Sequence, residues 1–117
     1  MSDDFSVEFS DAGSGVFLLC VKGAVSGDTF DRLESAIKNL FDKGHCKLVF
    51  DLEGVSYISS SGTGVLMNAF LQAQEIGGNA VFIKLSDNVK SVFDHLRLKE
   101  VIVTAPDLES ALRILSK

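Results

Sequence analysis

Tyr57-Ile58-Ser59-Ser60-Ser61-Gly62-Thr63-Gly64 lies between an apolar run that ends near Leu52 and another that begins at Val65. The order is that of a strand, a tight serine-rich turn and the first turn of a helix. Such a junction sets small hydroxyls beside the unpaired backbone N–H groups and the positive dipole end of the helix. Serine is a preferred N-cap, so the plain reading is that Ser59, Ser60 or Ser61 caps that helix. The position also tolerates a phosphate, which adds about −1.5 to −2 charges while finding backbone donors. Capping and switching both remain open on this pattern.

Working outward, Lys47–Leu52 reads as the strand before the turn and Val65–Ile76 as the helix after it, closed by Gly77-Gly78. Upstream, Phe5, Val7 and Phe9 alternate with Ser6 and Glu8, the period of a half-exposed strand. Asp11–Gly15 is a turn, and Val16–Val21 is continuously apolar, as in a strand covered on both faces. After a break from Gly23 to Gly27, Asp28 or Ser26 caps a helix with Phe30, Leu33, Ala36, Ile37, Leu40 and Phe41 in one stripe. Lys43-Gly44 ends it. Downstream, Ala80–Ile83 is a third buried strand. Ser86 or Asp87 caps a helix carrying Val89, Val92, Phe93 and Leu96. Glu100–Val103 is a short strand, and Asp107–Leu115 is a last helix with Leu108, Ala111, Leu112 and Leu115 on one face.

Strands separated by helices imply right-handed crossovers. The expected fold is therefore α/β, a mostly parallel sheet with an N-terminal antiparallel edge strand and about four helices. Within the helix after the serine turn, Leu66, Ala69, Ala73 and Ile76 form the stripe expected to face the sheet. Met67, Phe70 and Leu71 fall largely outside it, so that helix is either wedged between layers or offers a patch to a partner.

With 117 residues, 46% hydrophobic and 23% charged, the chain fits one globular domain, residues 1–117. Its net charge of −5 and the absence of a lysine or arginine cluster in sequence disfavour nucleic acid or an anionic membrane as main partner. Met1-Ser2-Asp3-Asp4 is acidic and lacks an apolar signal core, and no apolar run is long enough to insert in a bilayer, so the expected compartment is cytoplasmic. Cys20 and Cys46 read as buried free thiols.

Chemistry is sparse. A serine hydrolase elbow wants Gly-x-Ser-x-Gly, whereas the junction reads Ser60-Ser61-Gly62-Thr63-Gly64, and neither His45 nor His95 has a triad spacing. Gly62-x-Gly64 matches half of a dinucleotide fingerprint, but Met67 occupies the third glycine position. Two His and two Cys are too few and poorly spaced for zinc, and the carboxylates form no calcium loop. The expectation is a protein without catalysis, metal or cofactor.

The residues do carry a resemblance. Asp51-Leu52-x-x-Val55-x-Tyr57-Ile58-x-Ser60-Ser61-Gly62-x-Gly64 resembles the signature of the STAS domain, in particular of bacterial anti-sigma factor antagonists. Ala73-Gln74-Glu75-Ile76-Gly77-Gly78 before an apolar strand is typical of the family, as is Val92-Phe93-Asp94 leading to Leu98 and Val101-Ile102. The resemblance implies a binding module. In that family the unphosphorylated antagonist binds an anti-sigma factor that is also a serine kinase, and so releases a sigma factor. Phosphorylation of the serine two residues before the motif glycine ends binding, and a phosphoserine phosphatase reverses it.

Carried onto this chain, that serine is Ser60. Many antagonists have Asp immediately before it, where this chain has Ser59; Ser56, Ser59 and Ser61 are alternative acceptors. The implied docking surface comprises Ser59, Ser60, Ser61, Gly62, Thr63 and Gly64, then Met67, Phe70 and Leu71 on the Val65–Ile76 helix, with the Val25–Phe30 loop alongside. ATP would belong to the partner, and the domain would be a monomer or weak dimer. The alternative within the family is a structural scaffold subunit of a sensory assembly or an accessory to a lipid transporter.

Overall fold

The computed structural model describes residues 5–116; Met1–Asp4, read above for the absence of a signal core, and Lys117 lie outside the described residues. The elements run β1 (Ser6–Gly13), β2 (Val16–Val25), α1 (Phe30–Asp42), β3 (Lys47–Ile58), α2 (Ser60–Glu75), β4 (Asn79–Ile83) and α3 (Asp87–His95). A 3₁₀ turn (Leu98–Glu100), β5 (Val103–Ala105) and α4 (Leu108–Leu115) complete the chain. The strands form one sheet in the order β1-β2-β3-β4-β5, with β1 antiparallel to β2 and every later pair parallel. That is the architecture expected from alternating strand and helix patterns.

The alternation of side chains along each strand splits the core in two. Leu19, Leu48, Phe50, Leu52, Ala80 and Phe82 pack with the buried faces of α1, α2 and α3. Val16, Val49, Val81 and Ile83 point the other way and meet Ala111 and Leu115 of α4. Phe50 stacks on Phe82 at 5.0 Å, and Phe82 meets the edge of Phe93 on α3 at 6.3 Å. These offset and edge-on arrangements are the favoured geometries of ring pairs. Among the described residues no helix is long and apolar enough to cross a membrane. Both cysteines are free and half-buried.

Several boundaries differ from the sequence reading. β2 continues through Gly23 to Val25, and β3 continues past Leu52 to Ile58, pairing Ala24 with Tyr57 and Val25 with Ile58. Irregularities between Cys20 and Lys22 and between Gly23 and Ala24 let the ladder absorb residues that look like a break in sequence. β1 reaches Gly13, so the turn shrinks to Ser14-Gly15.

α1 is preceded by Thr29, not capped by Asp28 or Ser26. The Thr29 hydroxyl donates to the Ala24 carbonyl (2.6 Å) and accepts the Ser26 N–H (3.1 Å), so it closes the loop rather than capping the helix. The stretch expected as a Glu100–Val103 strand is a 3₁₀ turn followed by β5 two residues after it. Ile76 is exposed, because the helix ends at Glu75 and Ile76 is its C-cap.

Candidate functional site

The serine-rich junction sits where the carboxyl end of β3 meets α2. The helix begins at Ser60, five residues earlier than its hydrophobic stripe suggests, so Gly62 and Gly64 are helical. Ser59 is the N-cap: its backbone is extended and its Oγ accepts the Gly62 N–H at 3.1 Å. Its own N–H donates to the Val25 carbonyl at 2.8 Å, tying the cap to the end of β2. The Thr63 hydroxyl donates to the Ser60 carbonyl at 2.7 Å, and the Thr63 N–H to the Ser59 carbonyl at 2.9 Å.

Gly62 explains why the junction is so tight. A β-carbon there would lie 2.7 Å from Cγ1 of Val25, 2.9 Å from Cγ1 of Ile58 and 3.0 Å from the Val25 carbonyl oxygen. Gly64, one residue beyond Thr63, has nothing within 4 Å of its would-be β-carbon. Thus the first glycine permits close approach of helix and sheet, whereas the second faces open space.

The three serines therefore differ in role. Ser59 is half-buried and committed to the cap, whereas Ser60 and Ser61 are exposed on the first helical turn. The Ser60 side chain makes no hydrogen bond among the described residues. Its backbone N–H and that of Ser61 occupy the first turn, where the helix supplies no acceptor. Ser60 also lines a shallow groove of about 370 Å³, whose other wall is α3 with Ser91, Val92, His95 and Leu96. Tyr57, 54% exposed, and Leu96, 42% exposed, flank it with apolar surface. No carboxylate lines this groove, so added negative charge on Ser60 would face no acidic side chain across it.

α3 is fixed to the same strand end. The Ser86 hydroxyl donates to the Val55 carbonyl at 3.0 Å and the Asn88 amide to the Ser56 carbonyl at 2.9 Å. Ser86 also N-caps α3, accepting the Val89 N–H at 3.4 Å. The segment bearing Ser60 is thus held from the end of β2 on one side and from α3 on the other.

The other residues expected at the docking surface separate. Gly62, Thr63 and Phe70 are buried, and Met67 is half-buried against the core. Phe70, read as falling outside the buried stripe, is 6% exposed, because α2 is wedged between α1 and the sheet and buries more than one face. Leu71 is 51% exposed but lines a separate groove against Glu34 and Lys38 of α1. The surface contiguous with Ser60 takes in α3 across the groove and the exposed positions Ser61, Gly64, Asn68 and Leu71 along the outer face of α2. Tyr57 and Leu96 are far apart in sequence and line one groove because α3 is tied to the end of β3.

Of the two histidines, His45 lies against Phe17 with ring centroids 4.0 Å apart, away from the serines. His95 lines the groove of Ser60, yet no hydrogen bond joins the two. Among the described residues no cluster of His, Cys, Asp or Glu is arranged to hold a metal ion.

The chain matches the STAS domain over residues 11–111. BtrV of Bordetella bronchiseptica, named as a candidate anti-sigma factor antagonist, is 29% identical over 97 residues, which cover 83% of this chain and 84% of that protein. The crystal structure of an anti-sigma factor antagonist from Mycobacterium paratuberculosis superposes with a TM-score of 0.88 at 20% identity, covering 100% of this chain and 98% of that one. The Bacillus antagonist SpoIIAA superposes in its unphosphorylated form (TM-score 0.71, 13% identity, 90% and 92% of the two chains). Its phosphorylated form does so equally (TM-score 0.72, 15% identity, 93% and 99%). With that family match spanning most of its length and its five-stranded sheet superposing on these structures, this chain belongs to the STAS domain family.

Proposed function

We propose that the chain is an anti-sigma factor antagonist whose binding to a serine-kinase anti-sigma factor is ended by phosphorylation of Ser60. The observation that carries this reading is the division of labour at the junction: Ser59 holds the helix cap while Ser60, one residue on, is exposed and unbonded. A kinase can modify Ser60 without dismantling the cap. The phosphate then sits at the N-terminus of a sixteen-residue helix, where backbone donors and dipole favour it, so the domain need not refold. The relatives support the assignment by name, and one of their structural counterparts, SpoIIAA, exists in phosphorylated and unphosphorylated forms of one fold.

Partner release follows from charge. An interface closing over Ser60, Tyr57 and Leu96 would bury a phosphate bearing about two negative charges. Leaving one such charge unpaired in an interface costs about 2–5 kcal/mol or more, which is a loss of affinity of at least about thirtyfold. In this reading the domain works in the cytoplasm without cofactor or catalysis of its own, and a phosphoserine phosphatase resets it.

The test uses wild-type, Ser60→Ala and Ser60→Glu proteins as baits in lysate of the source cell, with captured proteins identified by mass spectrometry. An ATP-binding kinase partner should be held by wild type and Ser60→Ala and released by Ser60→Glu. The same partners on all three baits, or capture of transporter or sensory-array subunits alone, refutes the switch and favours a scaffold.

A further inference from the structure

His95 lies in the last turn of α3, on the wall of the groove opposite Ser60. It lines that wall with Ser91, Val92 and Leu96, positions i, i+1, i+4 and i+5 of one helix. Helical phase gives its direction. Val89 and Phe93 point into the core and are fully buried. A step of about 100° per residue then turns Lys90 and Asp94 to one side of that buried axis and Val92 and His95 to the other. The contacts of the first pair agree: Asp94 lies 3.2 Å from Lys99, and Lys90 borders a different cleft with Leu85 and Pro106. The Cα–Cβ bond of His95 therefore leaves the helix on the flank shared with the serine junction. Among the described residues its side chain has no hydrogen bond, ion pair or ring contact.

The charges around His95 are few. Of the residues that line the groove, only the Tyr57 phenol and His95 titrate. The first turn of α2 carries no acidic residue. On α3, Lys90 and Asp94 occupy the far flank, and Arg97, beyond the helix end, lines no part of the groove. A phosphate on Ser60 would thus find one side chain across the groove able to carry positive charge. The match extends to protonation. A histidine ordinarily titrates near pH 6.5 and the second proton of a phosphoserine leaves near pH 6, so each group changes charge in the range where the other does. A dianion favours the imidazolium, and the imidazolium favours the dianion.

We propose that His95, as its imidazolium, is the counter-ion of the phosphate on Ser60; this rests on the reading of Ser60 as the modified serine. The pair would span the groove between the first turn of α2 and the last turn of α3. Phosphorylation would then do two things to a docking partner, adding charge beside Tyr57 and Leu96 and bridging the groove between them. The bridge is sensitive to pH: it is complete below the midpoint of the histidine and is lost as pH rises through it.

The experiment uses the full chain with phosphoserine incorporated at position 60 during translation, so no kinase is needed. Phosphorus NMR follows the phosphate, and proton NMR the two histidine rings, through a pH titration at low salt. Both groups are exposed, so the expected displacement is modest. The His95 ring should titrate about 0.5–1 pH unit higher in the phosphorylated chain than in the unmodified one. The phosphate should titrate higher in His95→Gln by a similar amount, and His95→Lys should bring it back down by restoring a cation. His45, which lies against Phe17 away from the serines, should titrate alike in both chains. A His95 midpoint indifferent to the phosphate, a phosphate midpoint indifferent to His95→Gln, or an equal displacement of His45 would overturn the pairing. Because the phosphate is installed directly, the pairing can fail while Ser60→Glu still releases the partner. Conversely, a partner that ignores Ser60→Glu refutes the switch while leaving the pairing to be read from these titrations.

Discussion

The two glycines of the serine junction make opposite predictions on substitution by alanine. In Gly62→Ala the new methyl would meet Val25 Cγ1 at 2.7 Å and Ile58 Cγ1 at 2.9 Å, where ordinary contact begins at 3.4 Å. It would also meet the Val25 carbonyl oxygen at 3.0 Å, and that oxygen accepts the Ser59 N–H, so it cannot retreat without loosening the cap. Overpacking a filled site costs about 1–3 kcal/mol. Alanine's better helix propensity returns up to about 1 kcal/mol, and less in a first turn. The net effect is a destabilisation of about 1–2 kcal/mol, which lowers Tm by about 4–8 °C in a domain of this size.

Gly64→Ala gains the same propensity and meets nothing within 4 Å. It should stabilise by about 0.4–1 kcal/mol, chiefly by restricting the unfolded chain. Urea unfolding followed by circular dichroism, with thermal melts alongside, measures both variants against wild type at unchanged m-value. A Gly62→Ala protein as stable as wild type, or a Gly64→Ala protein less stable than it, would refute the assignment of close approach to the first glycine alone.

Two further outcomes separate roles within the chain. Ser59→Ala should lose about 1 kcal/mol as the Gly62 N–H loses its acceptor, whereas Ser60→Ala should stay within about 0.5 kcal/mol of wild type because its hydroxyl is exposed and unbonded. Urea midpoints decide it, and equal losses would show that the cap is shared. Burial pushes the Cys20 thiol up from its ordinary pKa, and the carboxylates of Asp51 and Glu8 push it the same way. Below that raised pKa the reactive thiolate is scarcer than in the unfolded chain. In a Cys46→Ser background, iodoacetamide should therefore label Cys20 more slowly in the folded protein than in urea, with the midpoint of the pH–rate profile displaced upward. Asp51→Asn should move that midpoint back down; an unchanged profile would remove Asp51 as a cause.

The proposed switch at Ser60 ties function to stability. The cap bonds of Ser59 and the strand-end bonds of Ser86 and Asn88 hold the backbone around Ser60 through groups other than the Ser60 hydroxyl. The proposed modification there would act on a preformed surface, so its effect is expected in binding rather than in folding. The apolar flank from Tyr57 and Leu96 gives that surface something to lose when charge arrives.

Local sequence settled what depends on spacing. Period-two and period-3.6 patterns gave the number, order and parallel arrangement of the elements, since burial of one face imposes those periods on any chain. The strand–serine–helix junction was legible for the same reason: a cap residue, small residues and an apolar run are local requirements. Three things depended on distant neighbours. β3 runs on through Gly54 because β2 offers bulged partners, which no local pattern shows. Phe70 is buried because α1 lies against α2, although its own helix would leave it outside the stripe. Finally, the groove at Ser60 is walled by α3, whose Leu96 comes from 36 positions later in the chain than Ser60. Hydrophobic pattern says only that a face is covered; which element covers it, and which surface is left beside the serine, is set by the packing of the whole sheet.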